Sequence, residues 1–100
     1  MILQDILADI HSLNEDLEAY ETKYGVLSET FYDSYSKGEE PEDDSWILDW
    51  ADWAGAYKTY LRRKEQYRYT IYSLQKESKS LVKIIEKTVR HEPLSVSPGL

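Results

Sequence analysis

Apolar residues recur along the first segment at Leu3, Ile6, Ile10, Leu13, Leu17, Tyr20 and Tyr24, a 3-4-3-4-3-4 spacing without a slip. That spacing is a heptad seam on one face of a helix, flanked by Ile2 and Leu7. Gly25 follows and suits the left-handed residue that closes a helix. The pattern predicts a helix over 2–24, about 35 Å long at the usual helical rise. A second start comes at Ser28, read as an N-cap, with Leu27 and Tyr32 placed to staple the first turn. Phe31, Tyr32 and Tyr35 give one aromatic face, and Gly38 after Lys37 marks an end. This predicts a short helix over 29–37, too short to hold without tertiary contacts.

Residues 38–45 form an acidic connection. Two starts fit the next helix: Ser45 as its cap, or Pro41 in its first turn followed by Glu42, Asp43 and Asp44. Beyond it, Trp50, Trp53, Tyr57, Tyr60, Lys64, Tyr67, Ile71, Leu74, Ser78, Leu81, Ile85 and Thr88 keep the 3-4 spacing. One helix is expected over 45–91, about 70 Å long, with Gly55 its weak point. Glu92-Pro93 should end it, because the residue before proline avoids the helical region.

The expected fold is therefore all-α. It is an elongated antiparallel hairpin or coiled coil with a short middle helix and one long C-terminal helix. A single helical domain spans 1–91, and 92–100 reads as an irregular tail. Setting Tyr24 beside Tyr57 places Ile2 beside Lys79 and packs Phe31, Tyr32 and Tyr35 on Trp46, Trp50 and Trp53. This pairing leaves Leu81, Val82, Ile84, Ile85 and Val89 without an intrachain partner, which points to a homodimer or a hetero-complex.

Composition narrows the function. The 100 residues hold 19 acids, 12 bases and no cysteine, a net charge of −7. The length allows one modest core. Without cysteine there is no disulfide framework, thiolate zinc site or cysteine nucleophile, and a reducing cytoplasm is the expected location. No apolar run approaches the ~20 residues of a membrane span, and the opening Met-Ile-Leu-Gln-Asp lacks a basic leader region. Thirteen aromatics, nine of them tyrosine, set the chain apart from disordered sequences.

The net charge conceals two poles. Residues 1–57 hold 15 acids and two bases, Lys23 and Lys37, whereas residues 58–100 hold 10 bases and four acids. Laying one pole along the other neutralises much of the charge, and the remainder favours a basic partner for the acidic half. Direct nucleic-acid binding is not expected of so acidic a chain. The Arg62-Arg63-Lys64 cluster with Arg68, interleaved with Tyr60, Tyr67, Tyr69 and Tyr72, reads as pairing with acids of the first helix and arginine stacking on tyrosine.

No nucleophilic triad, HExxH motif or phosphate loop is present, and His11 and His91 read as exposed helix residues. Glu15, Glu18, Glu40 and Asp43 spell the ExxE…ExxD pattern of all-α nucleoside-triphosphate pyrophosphohydrolases, which hold Mg²⁺ between facing helices. Pro41 interrupts the second half of that spelling. The acidic run at 39–44 lacks the ligand spacing and central glycine of a calcium loop. No metal, cofactor or catalytic residue is expected.

The most distinctive stretch runs from Trp46 to Trp53. Its three tryptophans stand at i, i+4 and i+7, with Asp49 and Asp52 between them. Both a core role and an interface-anchor role fit them, since tryptophan dominates binding hot spots. The expected partner surface comprises Trp46, Asp49, Trp50, Asp52 and Trp53 with Glu40, Asp43 and Asp44 of the connection.

The stretch Lys23-Tyr24-Gly25-Val26-Leu27-Ser28-Glu29-Thr30-Phe31-Tyr32, followed by Gly38-Glu39, the acidic linker, Asp49-Trp50 and Tyr57, resembles a family of small prokaryotic helical proteins. That family carries a KYG-x-x-S-x-x-FY…GE…DD…EW…Y pattern and is similar to antitoxin-type partners encoded beside small toxins, including those of the TumE kind. The likeness covers about residues 20–60. It departs at Asp49, where the pattern has Glu, and after Tyr57, where this chain has a long basic helix. It implies a non-catalytic protein that neutralises a basic toxin or nuclease. The runner-up is a nucleic-acid-mimicking inhibitor such as a phage anti-defence protein, and a Mg²⁺-dependent nucleotide hydrolase ranks third.

Overall fold

The structure, a computed structural model, describes residues 2–78 and 80–96. The predicted placement of Lys79, the tail residues 97–100 and the side chain of His91 lie outside the described residues. Every regular element among the described residues is helical: α1 (Leu3–Tyr24), α2 (Ser28–Ser36), a 3₁₀ turn (Asp44–Trp46), α3 (Ile47–Ser78) and α4 (Leu81–Val96). No described helix is long and apolar enough to cross a membrane. The chain divides into two compact units, Met1–Tyr67 and Arg68–Leu100.

In the first unit the α1 seam turns inward as the spacing predicts. Ile6 and Leu17 are buried, and Leu3, Ile10, Leu13, Tyr20 and Tyr24 are half-buried. Gly25 closes α1 in the left-handed region, φ 79°, and donates its N–H to the Glu21 carbonyl at 2.8 Å. The first turns of α3 run antiparallel to α1: Tyr24 meets Asp49, Tyr20 stacks on Trp53, and Asp9 meets Arg63. The register differs from the expected one. Tyr24 faces Asp49, eight residues before Tyr57. The aromatic sequence explains the shift. Pairing in this register buries Trp53 between α1 and α2, which removes more apolar surface from water than burying the smaller Tyr57 there.

Two helix starts also differ. Ser28 is the first residue of α2 and not its cap; its backbone N–H donates to a Glu21 side-chain oxygen at 2.8 Å. The carboxylate of α1 thus satisfies a free N–H of the next helix, and Leu27 is exposed instead of stapled. Ahead of α3, neither Ser45 nor Pro41 initiates. Asp43 accepts from the Ser45 N–H at 2.9 Å and from its hydroxyl at 2.7 Å, which builds the 3₁₀ turn.

The expected continuous helix over 45–91 is two helices. Ser80 interrupts it: its carbonyl accepts from Ile84 N–H, and its hydroxyl lies 3.4 Å from Lys83 N, as an N-cap does. The interruption rephases the apolar stripe in the second unit. Ile84 is buried at 8% exposure, whereas Leu81, Val82, Ile85 and Val89 are exposed. Ile84 therefore leaves the expected oligomerisation set, and the other four keep their open surface. At the far end α4 continues past Pro93 to Val96, beyond the stop expected at Glu92.

Candidate functional site

Three elements of the first unit converge on Trp53. Its side chain is fully buried, at 0% exposure. Phe31 of α2 lies parallel to it at a centroid distance of 3.7 Å, and Tyr20 and Tyr24 of α1 stack at 5.7 and 5.6 Å. A polar chain crosses this aromatic core. Trp53 Nε1 donates to Ser28 Oγ at 2.8 Å, and Ser28 Oγ donates to Glu21 Oε2 at 2.7 Å. Every polar atom in that chain has a partner, so burial costs it little. Trp53 is consequently part of the core.

Trp50 and Trp46 lie further out. Phe31 and Tyr35 meet Trp50 edge-on at 5.4 and 6.4 Å, and Tyr24 meets Trp46 edge-on at 5.6 Å. Trp46 sits in the 3₁₀ turn and not in α3, yet it still stacks on Trp50 at 6.5 Å. Trp46 is exposed and Trp50 half-buried. Among the described residues, the Trp50 indole N–H is a buried side-chain donor without an acceptor.

Between α1, α2 and the start of α3 these rings leave an open groove of about 550 Å³. Tyr24, Phe31, Tyr35, Trp46, Trp50 and Trp53 line it. Lys23, Glu39 and Ser34 are the polar groups that bear on its chemistry. This volume falls within the range of ligand pockets. A second cleft, of about 530 Å³, opens between α1 and α3 against Asp16, Asp49 and Asp52, where Ala19 and Ala56 leave room.

Lys23 belongs to both openings. Its ammonium reaches Asp49 Oδ2 at 2.6 Å, and the Tyr24 hydroxyl donates to the same oxygen at 2.7 Å. These two donors, the ammonium foremost, hold the Asp49 carboxyl below its ordinary range. The hydrogen bond to Asp49 raises Lys23 in turn. Tyr24 is raised first by burial and then by the neighbouring carboxylate. Burial likewise pushes Tyr20 and Tyr57 up. In the connection, the Ser45 hydroxyl holds Asp43 below the usual carboxylate range.

The sequence-predicted surface thus separates into three groups. Trp46 and Trp50 line the groove, whereas Asp52 is exposed and lines the second cleft. Asp49 spends one oxygen inside the chain, so it is less open to a basic partner than its sequence position implies. Glu40, Asp43 and Asp44 are exposed in the connection. Tyr24, Tyr35, Ser34 and Glu39 line the groove without having been anticipated. The i, i+3, i+4 pattern of Phe31, Ser34 and Tyr35 was the available signal for two of them.

The four carboxylates of the ExxE…ExxD spelling do not assemble. Glu15 and Glu18 are exposed on α1, Glu18 accepting from Asn14, while Glu40 and Asp43 lie in the connection. Among the described residues no group of three acids or histidines is placed to hold a metal ion. The basic stretch pairs with α1 through Arg63 Nε and Asp9 at 2.9 Å, and lysines lie over its rings, Lys64 over Tyr60 and Lys76 over Tyr72. No protein-family model matches the chain, and comparison with curated proteins and with solved structures gives no match.

Proposed function

We propose that this chain is a non-catalytic, antitoxin-like binding module that neutralises a basic toxin or nuclease by covering its surface. The observation that carries the reading is the groove: exposed Trp46 and half-buried Trp50 stand beside carboxylates that no lysine of the same half neutralises. Both lysines of residues 1–57 are already engaged, Lys23 with Asp49 and Lys37 with Asp33. Aromatic rings then supply desolvated anchors, and carboxylates supply orientation and a fast encounter with a cationic surface. The resemblance of residues 20–60 to toxin partners supports the same conclusion. The exposed acids of the connection also favour a second reading, an inhibitor that imitates nucleic acid.

Co-expression tests the proposal. The neighbouring gene, expressed alone, should arrest growth, and this chain should relieve the arrest. Trp46→Ala combined with Asp52→Lys should abolish relief while leaving helicity unchanged. Full relief by that variant would refute the assigned surface. An inhibitor imitating nucleic acid would instead be displaced from its target by added RNA or DNA.

A further inference from the structure

Two unpartnered surfaces on this chain complement each other. The groove of the first unit is aromatic and flanked by acids: Glu39 lines it, Glu40, Glu42, Asp43 and Asp44 follow in the exposed connection, and its one lysine is held by Asp49. In the second unit α4 presents Leu81, Val82, Ile85 and Val89 to solvent. Lys83, Lys87 and Arg90 are exposed on the same helix, whose sequence holds these three bases against two acids, Glu86 and Glu92. Val82, Ile85 and Val89 follow the i, i+3, i+7 spacing by which a helix seats anchors in a groove.

We infer that the groove is the docking site for α4 of a second copy of this chain. Apolar side chains of α4 enter between Trp46, Trp50 and Tyr35, and its lysines and arginine meet the carboxylates of the connection. The contact joins unlike surfaces, so it is heterologous and not a pairing of α4 with α4. Charge decides between those two modes. Pairing α4 with itself sets Lys83, Lys87 and Arg90 against their own copies, whereas the groove offers carboxylates. This docking uses the groove that the proposed function gives to a basic partner, so the two compete for it, and the inference holds whatever that partner is.

Analytical ultracentrifugation of the full chain and two variants tests it. Ser34→Trp plugs the groove, and Val82→Asp with Ile85→Asp spoils the α4 face while leaving buried Ile84 alone. The wild-type chain should self-associate, and more weakly at about 0.5 M salt. Each variant, with wild-type circular dichroism, should associate at least tenfold more weakly by itself. Mixed, the two should recover a 1:1 complex, because one retains an intact α4 and the other an intact groove. Undiminished association of Ser34→Trp would show α4 pairing with α4 and overturn the inference. Persistence in the α4 variant would overturn it through the opposite surface. A wild-type chain that stays monomeric, whether or not it binds anionic vesicles, overturns it as well.

Discussion

Trp53 donates its indole N–H to the Ser28 hydroxyl at 2.8 Å from the centre of the aromatic core. Through Ser28 the donor is tied to Glu21, so α3, α2 and α1 meet along one hydrogen-bonded line. Replacing Ser28 by Ala leaves the Trp53 N–H buried and unpaired. The expected loss is about 1–3 kcal/mol, read as a lower urea midpoint at unchanged slope. A midpoint equal to wild type would show that the line does not bind the three helices.

Trp50 and Trp53 should respond differently to the same substitution. Trp53→Phe discards a satisfied donor and opens space in the core, whereas Trp50→Phe discards a donor that has no acceptor. Trp50→Phe should therefore be the milder change, by at least about 1 kcal/mol. Chemical denaturation of both variants makes the comparison, and equal losses would count against the burial pattern.

Two glycines predict opposite signs. At Gly25, φ is 79° and a Cβ would meet nothing within 4 Å, so Gly25→Ala is opposed by backbone conformation alone. It should destabilise by about 1–2 kcal/mol. Gly55 lies inside α3 with the same open space, and Gly55→Ala should stabilise by about 0.5–1 kcal/mol. Thermal melts of the pair should move in opposite directions.

The elements were legible because their signals are local. Heptad spacing located α1, and Gly25 and Gly38 marked helix ends that adopt positive φ. Phe31, Tyr32 and Tyr35 pack on the aromatic start of α3 as their shared face implies. Register was not legible, since a 3-4 seam is satisfied at every heptad step and only ring volume at Trp53 chooses among them. The Ser80 interruption hid inside an unbroken stripe because serine is tolerated within a helix as well as at its start. Of the candidate surface, Trp46 and Trp50 line the groove and Asp52 lines the second cleft. Trp53 was not separable from them, because all three tryptophans share one face and only the position of α2 decides which is covered.

Stability should fall at both ends of the pH scale through one cluster. Asp49 is held below its unfolded range, first by Lys23 and then by Tyr24. Its contribution is complete above the unfolded carboxylate pKa of ~4 and is lost as pH falls through the lower folded value. Lys23 is raised by its bond to Asp49, and Tyr24 by burial and that carboxylate. Their contributions are complete below the unfolded values near ~10 and are lost as pH rises through the folded ones. Asp49→Asn should flatten the acid limb, and Tyr24→Phe should flatten part of the alkaline limb. Unfolding midpoints measured against pH decide this; limbs unchanged in both variants would assign the slopes elsewhere.

The central claim is that the acidic aromatic junction holds a basic partner protein. It is tested most directly by native mass spectrometry of the tagged chain recovered from the cells that encode it. The account predicts one basic protein bound at fixed stoichiometry, and its loss from a Trp46→Ala, Asp52→Lys variant of wild-type helicity. Recovery of the chain with no other protein bound would contradict it.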